Sequence, residues 1–251
     1  MKFGKKLKQQ MEQSLPDWRD NFLSYKELKK QVKIISSTPN TIHGAETYQF
    51  VSLLNSEIEK FNSFFVGKEE EFIIRHKELR QRIEIASDTW GPKGSQPSEA
   101  SYKDEMARIL IEIVHFHGEV VLLVNYSSLN YTGLAKILKK YDKRTGCLLR
   151  FPFIETVLQQ PFYITDLLSK LVKECEATID LVFPSQDDTQ SKEPKKGFSL
   201  TDGGIFRNAV AALLSMHEIR RGSSTYNHLS LPPLSLSDTD FLQLLQLTLP
   251  F

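Results

Sequence analysis

Apolar residues recur every three, four or seven positions along most of this chain, and the two-residue alternation of a half-buried strand is scarce. That periodicity restricts the fold to packed helices. Its longest run places Phe50, Leu54, Ile58, Phe61, Phe65, Phe72 and Leu79 on one stripe, which predicts a helix over residues 45–87. A second long stretch starts near Ser101, where Ser101 to Glu105 offers capping chemistry, and carries Met106, Ile109, Leu110, Ile113 and Val114 on to Val124. Residues 129–143 either continue it or form a separate helix after a kink. Shorter helices are expected over 2–14, 21–35, 153–159 and 164–183, with Pro16 ending the first. The expected fold is all-α, a helical hairpin packed on a bundle with two long core helices.

Residues 184–204 are dominated by Ser, Gln, Asp, Lys, Pro and Gly and read as a flexible linker. Residues 205–221 read as an amphipathic helix with Ile205, Val210, Leu213, Leu214 and Ile219 apolar. The Ser-, Pro- and Leu-rich stretch 222–251 reads as a disordered tail. The chain thus divides into a helical body over 1–183, a linker, a C-terminal helix and a tail.

Several functional classes find no support. Cys147 and Cys175 cannot build a disulfide framework and lack zinc-site spacing, so a reducing compartment is expected. No apolar run follows the basic start MKFGKKLKQQ, so no signal peptide is expected. The most apolar stretch, Val120 to Val124, is far short of the roughly 20 residues of a membrane span, so a soluble intracellular protein is expected. His115 and His117 do not share a helix face and are not assigned to a metal. Gly67-Lys68 follows Asn62 where a phosphate-binding loop needs glycine. No nucleophile motif or acid–base pair stands out, so no catalytic residue and no cofactor is assigned, and an enzyme is disfavoured.

The charges are informative once they are resolved along the chain. The net charge is +1, but residues 1–33 hold nine basic and four acidic side chains. Residues 136–150 hold six basic side chains and one aspartate, so the rest of the chain carries −9. Lys136, Lys139, Lys140 and Lys143 fall within about 100° of a helical wheel, nearly opposite Leu134, Ile137, Leu138 and Tyr141. Lys26, Lys29, Lys30 and Lys33 repeat the pattern against Leu28, Val32 and Ile35. Tyr25 lies one turn before Lys29 at the boundary of that stripe, where a phenol can pack its ring and still offer its hydroxyl. Clustered like charges destabilise a helix unless an anion offsets them. Lysines around one pocket suit a compact, highly phosphorylated ligand, because each binds phosphate as a movable point charge.

These residues carry a family resemblance. MKFGK at the start, LPDW at Leu15 to Trp18, YKELKK at Tyr25 to Lys30 and VNYSSLNYTGLAKILKKYDKR from Val124 to Arg144 resemble an SPX domain over residues 1–183. The resemblance implies the same hairpin-on-bundle fold and a sensor of cellular phosphate that binds inositol pyrophosphates or inositol hexakisphosphate. It implies that Tyr25, Lys29 and Lys139 form a phosphate-binding cluster and that Lys136, Lys140 and Lys143 form an adjoining lysine surface. It places Lys2, Lys5 and Lys26 on the hairpin beside the same pocket. The segment GIFRNAVAALLSMHEIRRGSSTY from Gly204 to Tyr226, with the LPPL that follows, is similar to short stand-alone plant members. Those resemble inhibitors of phosphate-starvation-response (PHR-type) Myb transcription factors, which implies a ligand-dependent partner, phosphate-dependent transcriptional repression, and residence in nucleus and cytoplasm. On this reading the anion orders residues 2–14, which repulsion otherwise frays, and so prepares a partner surface.

Two other readings remain open. One is a peripheral module whose lysines read phosphoinositide head groups, although Phe3, Leu7 and Met11 are the only apolar anchors of the first helix. The other is direct nucleic-acid binding, disfavoured because the basic faces lack base-reading arginines. The helix at 205–221 has three open placements: on the bundle, on a second copy in a homodimer, or on the partner.

Overall fold

In a computed structural model the described residues are 3–37, 43–182, 203–221 and 231. The linker expected over 184–204 and the tail expected over 222–251 lie largely outside them. The described residues form helices and contain no strand. The elements run α1 (Phe3–Gln13), α2 (Tyr25–Ser37), α3 (His43–Trp90), α4 (Glu99–Thr145), α5 (Arg150–Val157), α6 (Asp166–Val182) and α7 (Gly203–Arg221). Short 3-10 turns at Pro16–Asn21 and Pro161–Tyr163 punctuate them.

The helix expected from residue 21 begins instead at Tyr25. Pro16 starts the 3-10 turn, and that turn swings Trp18 inward, edge-on to Phe64 at 5.4 Å. Phe22 is extended and Leu23–Ser24 connect it to α2, so the α2 helix starts only after Ser24, whose carbonyl accepts from the amides of Glu27 and Leu28. Helix α3 buries the whole expected stripe, with Phe50, Leu54, Phe61, Phe65 and Phe72 fully enclosed. It runs past the expected ends to His43 and Trp90.

The two segments expected on either side of residues 125–128 are one helix, α4. Its N-cap is Ser98, whose hydroxyl accepts from the Ser101 amide, rather than a residue of 101–105. Its end is set by Gly146, held in the left-handed conformation (φ 74°) that glycine adopts without a side-chain clash. The polar residues Asn125, Ser127, Ser128 and Asn130 lie at this join, and such residues disfavour exposed helix interiors. They are buried here, for α4 passes through the middle of the molecule with α1, α2, α3, α6 and α7 packed around it. The α3–α4 pair is antiparallel: at the far end Phe50 stacks on Tyr141 at 4.9 Å, and Thr47 Oγ1 lies 3.1 Å from the Tyr141 hydroxyl.

Helix α7 begins two residues before the expected start and packs on α4. Its buried face is Ala209, Ala212, Ser215 and Met216, while Leu214 is 67% exposed. Of the expected apolar set, Ile205 meets Gly118 and Leu213 and Ile219 pack against the core, while Leu214 points outward. Small residues bring α7 close to Gly118, where an added Cβ would sit 2.6 Å from Ile205 Cγ2.

Candidate anion-binding site

The lysine stripes of α2 and α4 meet where α1 crosses them. Leu28, Val32 and Ile35 bury one side of α2, and Leu134, Ile137, Leu138 and Tyr141 bury one side of α4. Lys26, Lys29, Lys136, Lys139 and Lys143 are left exposed on the opposite sides, and Lys140 is half-buried. Phe3 of α1 sits edge-on to Tyr25 at 5.1 Å, and the Lys136 ammonium lies 5.6 Å from the centre of the Phe3 ring. Gly133 of α4 makes this approach possible, since a Cβ there would collide with Leu23 and meet Phe3 at 3.5 Å. Gly4 faces the Tyr25 ring from the other side, where an added Cβ would make ordinary van der Waals contact.

Phe3, Tyr25 and Lys136 are thus brought together directly, and Lys29 of α2 lies near Lys140 of α4. Helical register carries Lys139 and Lys143 along the same α4 face. Lys26 follows Tyr25, and Lys5 is exposed in the first turn of α1. Lys2 lies outside the described residues. Among the described residues, no carboxylate pairs with Lys5, Lys26, Lys29, Lys136, Lys139, Lys140 or Lys143; Lys30 alone in the α2 stripe is paired, with Glu27 at 3.0 Å.

The electrostatics follow from that lack of compensation. Burial, then the nearby Arg144 and Lys29, pull Lys140 below the ordinary lysine range. Burial pushes the Tyr25 phenol up, so it remains an O–H donor at neutral pH. The arrangement can therefore offer several ammonium groups and one hydroxyl to a polyanion.

Buried polar groups that the sequence reading did not single out hold Tyr25 in place. Asn130 Oδ1, in a residue with no exposed surface, accepts from the Leu23 amide at 2.9 Å. Glu57 Oε2 accepts from the Ser24 amide at 2.8 Å. Lys60 donates to the Phe22 carbonyl at 3.0 Å and to Glu57 at 2.9 Å. The Tyr126 hydroxyl donates to the Asn21 carbonyl at 3.0 Å. The connector from Asn21 to Ser24 would otherwise bury unpaired backbone groups, so this lattice fixes the start of α2 and hence Tyr25. The available signal was the polar stretch holding Tyr126 and Asn130, set between the apolar residues Val120–Val124 on one side and Leu134, Ile137 and Leu138 on the other. Glu57 and Lys60 carry no such signal, because an i,i+3 pair reads as an ordinary exposed helix pair.

Phe3, Leu7 and Met11 all pack against the core, so none of the three candidate membrane anchors is presented outward. No helix among the described residues is long and apolar enough to cross a membrane. His117 is buried and faces Glu176 of α6 at 3.4 Å.

Comparison with known proteins adds the family context. The SPX domain family model matches residues 1–47 and 92–157, which include both lysine stripes. SPX domain-containing protein 5 of Oryza sativa subsp. indica is 52% identical over 243 residues, covering 96% of this chain and 92% of that protein. SPX domain-containing protein 3 of Arabidopsis thaliana is 53% identical over 249 residues, covering 96% and 94%. SPX domain-containing protein 1 of Arabidopsis thaliana is 50% identical over 256 residues, covering 96% and 94%. Among solved structures, the SPX domain of Chaetomium thermophilum glycerophosphodiester phosphodiesterase 1, in complex with inositol hexakisphosphate, aligns with a TM-score of 0.54 at 23% identity. That alignment covers 72% of this chain and 99% of the fungal domain, and it shows a shared fold.

Proposed function

This chain belongs to the family of SPX domain-containing proteins, and from that premise we propose that its lysine face binds inositol polyphosphates, with inositol pyrophosphates or inositol hexakisphosphate as ligand, and reports phosphate status. One observation carries the reading. Lys5 of α1, Lys26 and Lys29 of α2, and Lys136, Lys139, Lys140 and Lys143 of α4 have no carboxylate partner among the described residues, and Tyr25 and Lys136 converge on Phe3. A folded protein holds such a cluster against its own repulsion, and a small polyanion removes that repulsion in one binding event. The fungal SPX domain of similar fold was solved with inositol hexakisphosphate, which supports this ligand class.

Tyr25, Lys29 and Lys139 form the inner contacts of this site. Lys136, Lys140 and Lys143 extend it along α4, and Lys2, Lys5 and Lys26 border it from the hairpin. The role is binding rather than catalysis. In its ligand-bound state the protein captures a PHR-type Myb transcription factor, in nucleus and cytoplasm, and represses phosphate-starvation responses.

Calorimetry with inositol hexakisphosphate tests the site. Lys139→Ala weakens binding, and wild-type affinity falls as salt rises because the contacts are charge–charge. Unchanged affinity in Lys139→Ala defeats the assignment. Pulldown of a PHR-type factor with and without an inositol pyrophosphate tests the partner, and equal capture in both conditions rejects the sensor.

A further inference from the structure

Helix α1 is poorly equipped to stand alone. It has 11 residues, below the roughly 12–15 at which isolated helices become even marginal. Its first turn contains Lys5 and Lys6 and no acidic residue, so its charges oppose the helix dipole. Yet α1 supplies Phe3, on which Tyr25 and Lys136 converge. Its order must come from neighbours. One is α4, through Leu7 and the close approach at Gly133. The other is α7, which lies outside the family-model match.

Three features fix α7 in this place. Its buried face, Ala209, Ala212 and Met216, packs with α4 beside it and Ile205 against Gly118. Arg220 reaches Ser128 Oγ of α4 at 3.4 Å. Glu218 pairs with Lys6 in the first turn of α1, and the Lys6 side chain is only 18% exposed in that pair. A carboxylate there does two things: it compensates Lys6 and sits near the positive end of the α1 dipole.

We propose that α7 is a built-in clamp on α1, with Glu218 as its positioning residue, which raises the fraction of molecules with α1 already seated beside the anion site, and that the ligand completes this ordering. This rests on the lysine face being an anion site, but the clamp has a readout of its own. Ligand affinity scales with the fraction of molecules whose site is already formed, so loosening α1 lowers it without touching a lysine of the site.

The test uses the full chain, with hydrogen exchange of the 7–13 amides as one measurement and calorimetry with inositol hexakisphosphate as the other. Glu218→Lys places a second cation beside Lys6 on an exposed position, so the fold survives it. It speeds α1 exchange about three- to fivefold, on the scale of a lost ion pair plus new repulsion. The charge swap Lys6→Glu with Glu218→Lys restores protection.

Gly118→Leu is the stronger perturbation. Its side chain meets Ile205, whose β-branched Cγ2 stays close to the α7 backbone and cannot swing aside. It unseats α7, speeds α1 exchange about tenfold or more and weakens inositol hexakisphosphate binding at least threefold. Unchanged α1 exchange in both variants overturns the clamp. Faster exchange in Gly118→Leu with unchanged affinity overturns its service to the site. If wild-type protein shows no binding, the anion reading fails while the exchange results still decide the clamp.

Discussion

The two ends of the α3–α4 pair carry cations of different kinds in different company. Over the first half of α4, arginines of α3 are matched to glutamates across the helix seam. Arg75 meets Glu119 at 2.5 Å, and Arg82 meets Glu105 at 2.7 Å and Glu112 at 2.6 Å. Those two carboxylates hold the Arg82 guanidinium above even its usual range. Near the end of α4, lysines are gathered with no carboxylate among the described residues to meet them. Guanidinium forks lock geometry, whereas ammonium groups on flexible stems adapt to a phosphorylated guest. Charge that is spent inside the molecule holds helices in register, and charge left unspent is available to a ligand. The acidic remainder of the sequence is accordingly not a uniform background, since part of it closes the far end of the bundle.

The largest effect comes from reversing charge at the unpaired end. Lys139→Glu with Lys140→Glu lowers inositol hexakisphosphate affinity by at least about a hundredfold, since each lost charged contact is worth roughly 1.5–3 kcal/mol. The thermal midpoint stays level or rises, because the i,i+4 repulsions of Lys136 with Lys140 and Lys139 with Lys143 are relieved. Calorimetry and thermal melts read the two outcomes separately. A fall in both would mean that the lysines hold the fold together, and the contrast between the ends would disappear.

Asn130→Ala probes the support beneath the site rather than the site. It leaves the buried Leu23 amide without its acceptor, a loss of about 1–3 kcal/mol in stability. Affinity drops only few-fold, because every lysine remains. Urea denaturation gives the first quantity and calorimetry the second. A loss of affinity as large as that of the charge reversal would place Asn130 among the ligand contacts.

Much of the fold was legible because its main signal is periodic. The α3 stripe from Phe50 to Leu79 and the opposed Lys and Leu arcs of α2 and α4 need only a helical wheel. The continuity of α4 was harder to read. Asn125, Ser127, Ser128 and Asn130 are poor choices for an exposed helix, and only the surrounding helices turn them into buried hydrogen-bonding groups. The start of α2 was misplaced because the 3-10 turn after Pro16 has no periodic signature. The α7 contact face was read in part: Ile205, Leu213 and Ile219 pack inward as expected, but close packing at Gly118 also buries Ala209 and Ala212, and Leu214 is left exposed. At the site, the cations were visible as a stripe. The Glu57–Lys60 support was hidden, since pairing across to residues 22–24 depends on tertiary structure.

At the paired end, Arg82→Ala leaves Glu105 and Glu112 without their shared cation. The pairs are partly exposed and screened, so the loss is about 1 kcal/mol or less. Inositol hexakisphosphate affinity stays at the wild-type value, because the change lies at the opposite end of α4 from the lysine face. A thermal melt with calorimetry checks both, and reduced affinity would show that the two ends communicate.

The smallest effect is a fraction of a proton. Burial and the nearby Arg144 and Lys29 depress Lys140, so in the free protein it begins to lose its proton at a lower pH than an ordinary lysine. The sign for folding follows: the unfolded chain holds more protons in that window, so this group makes stability rise with pH there. A bound polyanion reverses the depression by favouring the ammonium form. Binding just below the ordinary lysine value of about 10.4 is therefore accompanied by proton uptake at Lys140, and its contribution to affinity weakens as pH rises. Lys140→Arg keeps the charge and cannot titrate in that range. Calorimetry in buffers of different ionisation enthalpy should then show less proton uptake in the variant than in the wild type. Because phosphate groups of the ligand release or take up the same protons in both proteins, the difference isolates residue 140. Equal linkage in the two would mean that Lys140 does not meet the ligand, and the unpaired face would end at Lys136 and Lys139.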